Sequence, residues 1–77
     1  MSPEQFQELL DARPFVPVRV YLSSGQTHDI VDADTAHVGR EVVIVGVYDA
    51  ESRFPRWKLL SLYHVTAVEP LTPAQLS

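Results

Sequence analysis

The sequence predicts a mainly β domain, with one N-terminal α-helix followed by a five-stranded, bent antiparallel sheet that closes into a small barrel. Three observations carry that expectation. Apolar residues recur at helical spacing only in the first dozen positions, and from Phe15 onward the apolar period drops to two. The extended runs are joined mostly by short connections rich in Gly, Ser and Asp. One run, Glu41 to Tyr48, is apolar on both sides and contains Gly46, as expected of a central strand that bends sharply. An open sheet with the helix on one face is the alternative arrangement.

The helix is expected over about residues 3–12. Ser2 offers an N-cap, Pro3 occupies the first helical position where its missing N–H costs nothing, and Gln5 stands where it closes a capping box. Phe6, Leu9 and Leu10 form one apolar stripe. Pro14 disfavours helical geometry at the residue before it, so the helix ends near Ala12 or Arg13. So short a helix is unstable alone and must dock.

The first strand follows, with Val16, Val18, Val20 and Leu22 on one face and Pro17, Arg19 and Tyr21 on the other. Pro17 cannot donate to a ladder and belongs at a strand start or an edge. Ser23-Ser24-Gly25-Gln26 suits a hairpin turn, and Thr27 to Val31 is the return strand. Asp32, Asp34 and Thr35 mark a turn within the connection that runs to Gly39. Glu41 to Tyr48 is the third strand and Asp49 to Pro55 a polar break. Arg56 to Leu62 is the fourth strand, with Trp57, Leu59 and Ser61 on one face and Lys58, Leu60 and Leu62 on the other. Val65 to Glu69 is the fifth, stopped by Pro70. Residues 1–70 thus form one domain, and 71–77 read as a flexible tail.

Composition narrows the function classes. At 77 residues the chain is long enough for one domain but short of core, since a chain of this size buries only about 60% of its unfolded surface. Without cysteine it has no disulfide, thiolate zinc site or thiol nucleophile to draw on, so self-association is the natural supplement. Ten acidic against six basic residues give a charge of −4, the wrong sign for bulk phosphate contact. No run approaches a membrane span, and Met1-Ser2-Pro3-Glu4-Gln5 lacks a secretion signal, so the expected compartment is the cytoplasm and no membrane partner is expected.

No catalytic constellation stands out. His28, His37 and His64 with Asp29, Asp32 and Asp34 lack metal-ligand spacing, so neither a metal nor another cofactor is expected. Ser23 or Ser24 has no nucleophile elbow, and three isolated glycines make no phosphate loop. The expectation is a protein that is not an enzyme. The only basic cluster is Arg53-Phe54-Pro55-Arg56-Trp57-Lys58. Alternating cations and rings can hold single-stranded nucleic acid by charge and stacking, or meet an acidic protein surface. Its plainer reading is a hairpin tip with aromatics folded on the barrel and solvated cations.

Pro17-Val18-Arg19-Val20-Tyr21-Leu22-Ser23-Ser24-Gly25 resembles the first strand and hairpin turn of the Sm-like family, in particular of its bacterial RNA chaperone branch, Hfq. Leu62-Tyr63-His64-Val65-Thr66-Ala67-Val68-Glu69-Pro70 resembles that branch's second motif. The chain also resembles a group of short uncharacterised bacterial proteins that share an Arg-Pro-Phe-x-Pro segment, here Arg13 to Pro17, and a late Leu-x-His element, here Leu62 to His64. The Sm-like resemblance implies an SH3-like barrel assembled into a homo-oligomeric ring through the fourth strand of one copy and the fifth of the next. It also implies weak binding of single-stranded RNA, with His64 and its neighbour Tyr63 at the pore, His37 from the connection after the second strand, and Tyr21 and Gln26 near the opposite ring face. Tyr63 stands where that branch carries a basic residue, and the acidity of the chain favours the alternative of a scaffold module of the same fold that binds protein.

Overall fold

The computed structural model describes residues 1–47, 51 and 56–76. Helix α1 spans Pro3–Asp11 and begins with the expected reciprocal cap: the Gln5 N–H donates to Ser2 Oγ (3.1 Å) and the Ser2 N–H to Gln5 Oε1 (3.0 Å). Phe6 and Leu10 are buried, and Leu9 is half-buried on the flank of the stripe. At the other end Arg13 Nη1 donates to the carbonyls of Leu10 (3.0 Å) and Ala12 (2.9 Å), satisfying acceptors that a helix end leaves open. The helix packs against the short strand β3.

Six strands follow: β1 Val18–Leu22, β2 Thr27–Ile30, β3 Ala36–Val38, β4 Val42–Val47, β5 Arg56–Ser61 and β6 Val65–Pro70. They form two three-stranded antiparallel sheets, ordered β2-β1-β6 and β3-β4-β5. The expectation of five strands in one closing sheet is therefore corrected among the described residues: the sheets are separate and do not close a barrel. The connection after β2 explains why. Asp32 caps a 3₁₀ turn, Ala33–Thr35, accepting the Asp34 N–H on Oδ1 (3.1 Å) while its carbonyl accepts the Thr35 N–H (3.1 Å) and Oγ1 (2.7 Å). These local bonds withdraw the backbone from the ladder. When extension resumes, at β3, the chain pairs with β4 in the second sheet, with Ala36 opposite Val45 and Val38 opposite Val43.

The two sheets face each other across an apolar layer. Val18, Val20 and Ile30 enter it from the first sheet, and Ala36, Val43, Val45 and Leu60 from the second. Phe6 and Leu10 of α1, with Leu62 and Val65, complete it. The faces expected for the first strand and for Trp57 to Leu60 hold, with Leu60 buried and Trp57 and Leu59 exposed. Pro17 lies just before the start of β1, and its carbonyl accepts the N–H of Leu71 (2.9 Å). Val16 shares the alternation of the strand but precedes it and is exposed. In β6 the register against β1 shifts after Tyr21, leaving Thr66 unpaired, and its Oγ1 donates to the Tyr21 carbonyl (3.3 Å). Pro70, read as a stop, is the last residue of β6, opposite Val18. Beyond it Leu71 is buried and Pro73–Leu76 makes the one-turn helix α2, within the segment read as a loose tail. No helix among the described residues is long and apolar enough to cross a membrane.

Candidate functional site

Two turns bring the residues at one end of the molecule together. In the β1–β2 hairpin Gly25 takes φ +91°, a left-handed value that a side chain would strain, which lets the Leu22 N–H reach the Gln26 carbonyl (2.9 Å). Between β5 and β6, Ser61 caps a 3₁₀ turn, Leu62–His64, by accepting the Tyr63 N–H on Oγ (3.3 Å). The Leu62 N–H donates to the Glu41 carbonyl (2.8 Å), which anchors this turn to the start of β4. The turns are then joined twice: the Ser23 N–H donates to the His64 carbonyl (2.7 Å), and Ser23 Oγ lies 3.0 Å from His64 Nδ1. His64 is thus fixed by the hairpin hydroxyl, and its ring remains exposed.

An open cleft of about 440 Å³ lies beside this junction, lined among others by Ser23, Gln26, Lys58, Leu60 and His64. It gathers an imidazole, an ammonium, a primary amide and hydroxyls over an apolar floor, groups that can donate to an anion or read the edge of a planar ring. Gln26 therefore shares a cleft with His64. Tyr21 does not join them; it stands on the outer face of β1, where its hydroxyl donates to Glu69 Oε2 (3.2 Å). Tyr63 is 78% exposed beside His64 and does not line the cleft.

The strand pleat divides the basic-aromatic run. Arg53, Phe54 and Pro55 lie outside the described residues. Of the remainder, Lys58 is half-buried on the inward side of β5, opposite Val45, while Trp57 is 57% exposed on the outward side, opposite Gly46. With no side chain at Gly46, the indole extends toward His37 on β3, with ring centroids 6.1 Å apart and planes inclined by 49°. Ile44 and Leu59 share that outward face, and Leu59 is 66% exposed. Arg56 begins β5 on the same side as Lys58 and is exposed. His37 and Trp57 thus form an outer patch, and His64, Gln26 and Lys58 a separate cleft.

His28 drew attention in the sequence only as an improbable metal ligand. It is half-buried on the inward side of β2, opposite Val20, and lines a second cleft together with Lys58. Desolvation, and then the Lys58 ammonium, hold its imidazole below the ordinary histidine range, while the Asp29 carboxylate pulls weakly the other way. Alternation alone carries the signal: Lys58 has the parity of Leu60, and His28 that of Ile30, so both are polar residues at inward positions. Among the described residues, no group of three or more His, Asp or Glu side chains could hold a metal ion. No family model, curated protein or solved structure matches the chain.

Proposed function

We propose that this chain is a self-assembling, Sm-like β module, in which β5 of one copy adds to β6 of the next. The observation that carries this reading is the position of those strands. Each has six residues and, among the described residues, each is terminal in its sheet, with β4 beside β5 and β1 beside β6. Terminal strands of that length offer unpaired backbone groups, a template for another chain. Reading β2 and β3 as one strand broken at Asp32 would join the sheets into a single bent surface with β5 and β6 at its two edges.

Charge favours the unlike pairing over the like ones. β5 carries Arg56 and Lys58 and no acid, and β6 carries Glu69 and no base. Two β5 strands side by side would bring four cations together, and two β6 strands two carboxylates, whereas β5 beside β6 avoids both repulsions. A head-to-tail contact of that kind propagates, and it closes into a ring when the rotation permits. Light scattering over a micromolar concentration series tests the reading: a multimer supports it, and a monomer throughout would end it.

A second reading, binding of single-stranded RNA, is favoured by the convergence of His64, Gln26 and Lys58 on one cleft. Binding of uridine-rich or adenine-rich oligomers should weaken as salt rises and should drop with His64→Ala. Absence of binding at low salt would leave the same module as a scaffold for protein partners, the outward patch at Trp57 and Leu59 being its apolar surface.

A further inference from the structure

Three adjoining clefts open where the two sheets part. The middle one, about 450 Å³, is lined by Thr27, His28, Val47, Arg56, Trp57 and Lys58. It shares Lys58 with the His64 cleft and His28 with a third cleft of about 470 Å³ that is bordered by Asp29 and Asp32. His28 and Lys58 enter this space from opposite sheets, in inward rows otherwise filled by Val20, Ile30, Val45 and Leu60.

Two basic groups directed into one half-buried space oppose each other and lose hydration, so folding alone does not favour the arrangement. Among the described residues the two acids beside it, Asp29 and Asp32, are engaged elsewhere. Asp29 is turned to the other face of β2, where its two carboxylate oxygens accept from Arg19 Nε (2.7 Å) and Nη2 (3.0 Å). Asp32 Oδ1 accepts the Asp34 N–H within its own turn. Among the described residues Lys58 makes no ion pair. Arg56 adds a further cation to the lining.

We propose that this cleft binds a phosphate monoester dianion between the Lys58 ammonium and the His28 imidazolium, with the esterified group in the remaining volume. Two facing cations match two negative charges, and a diester offers only one. Uptake is coupled to a proton: His28 is held neutral by burial and by Lys58, and the dianion reverses that balance, so the imidazole takes one proton from solvent as the ligand enters. Of the groups around His28, Lys58 opposes that proton and Asp29 favours it, with Arg56 and Asp32 in the linings of the clefts that His28 shares. Affinity should therefore rise as pH falls from the alkaline side toward about 6, where the second phosphate proton begins to bind the ligand itself. The site lies within one copy and depends on neither edge pairing nor RNA.

The test follows the histidine rings by NMR while phenyl phosphate is added at constant ionic strength. His28 should shift saturably and its titration midpoint should move up by roughly one pH unit. Lys58→Met, which keeps the aliphatic stem, should weaken binding about tenfold, the size of one charge-assisted hydrogen bond. Should that variant fail to fold, the His28 titration in the unaltered protein, with phenyl phosphate against dimethyl phosphate, decides. A His28 signal that does not move, or dimethyl phosphate binding equally well, would each overturn the proposal.

Discussion

The outer faces of the two sheets are finished differently. On β2-β1-β6 the outward positions are closed by cross-strand polar contacts: Arg19 donates to both carboxylate oxygens of Asp29 through Nε and Nη2, and Tyr21 donates to Glu69. The Arg19 guanidinium holds the Asp29 carboxyl below its usual range. On β3-β4-β5 the corresponding positions carry Ile44, Trp57 and Leu59, with the indole toward His37. The backbone architecture is the same, three antiparallel strands over a shared core. One face is completed by its own polar pairs, whereas the other leaves a tryptophan and a leucine more than half exposed, the apolar surface that the proposed assembly would draw on.

Substitutions separate the inner layer from each outer face. The largest effect is expected inside: Val18→Asp puts a carboxylate into the apolar layer that both sheets share, at a cost of more than about 4 kcal/mol, comparable to the whole stability of a small domain. Circular dichroism should show an unfolded chain; a folded variant would mean that the inner and outer faces are interchanged. The next effect concerns assembly. Leu59→Asp should change monomer stability by about 0.5 kcal/mol or less, because the side chain is already exposed, and should sharply lower the mass measured by light scattering. Unchanged mass would remove this face from the interface.

The smallest effect belongs to the face with the polar pairs and depends on pH. A carboxyl lowered by folding adds stability that is present above its unfolded value, 3.8 for this group, and is lost as pH falls through the folded value. Asp29→Asn should therefore be slightly less stable than the unaltered protein at neutral pH, with the difference vanishing below pH 3.8 as the carboxyl protonates. Melting curves across that window check it, and a difference that persists at the acid end would assign the loss to something other than the ion pair.

What could be read in advance follows the range of the interactions. The capping box of Ser2 and Gln5, the buried pair Phe6 and Leu10, and the faces of β1 and β5 rest on contacts a few residues apart or on simple alternation, and the sequence displays both. β3 escaped because Asp32 to Thr35 is a genuine turn signal, and three residues are too few to show a period after it. Arg56-Trp57-Lys58 read as one surface because neighbours in sequence look like neighbours in space, and the strand sends Trp57 outward and Lys58 inward. The meeting of Lys58 with His28, and of Gln26 with His64, depends on how two sheets are set against each other, a relation that no local pattern contains.

The central claim, that β5 of one copy pairs with β6 of another, is tested most directly by mixing isotope-labelled with unlabelled protein and recording only intermolecular NMR contacts. The account predicts contacts between Arg56–Ser61 of one copy and Val65–Pro70 of another, with none between two β5 strands. Contacts of β5 with β5, or none at concentrations where the protein is multimeric, would contradict it.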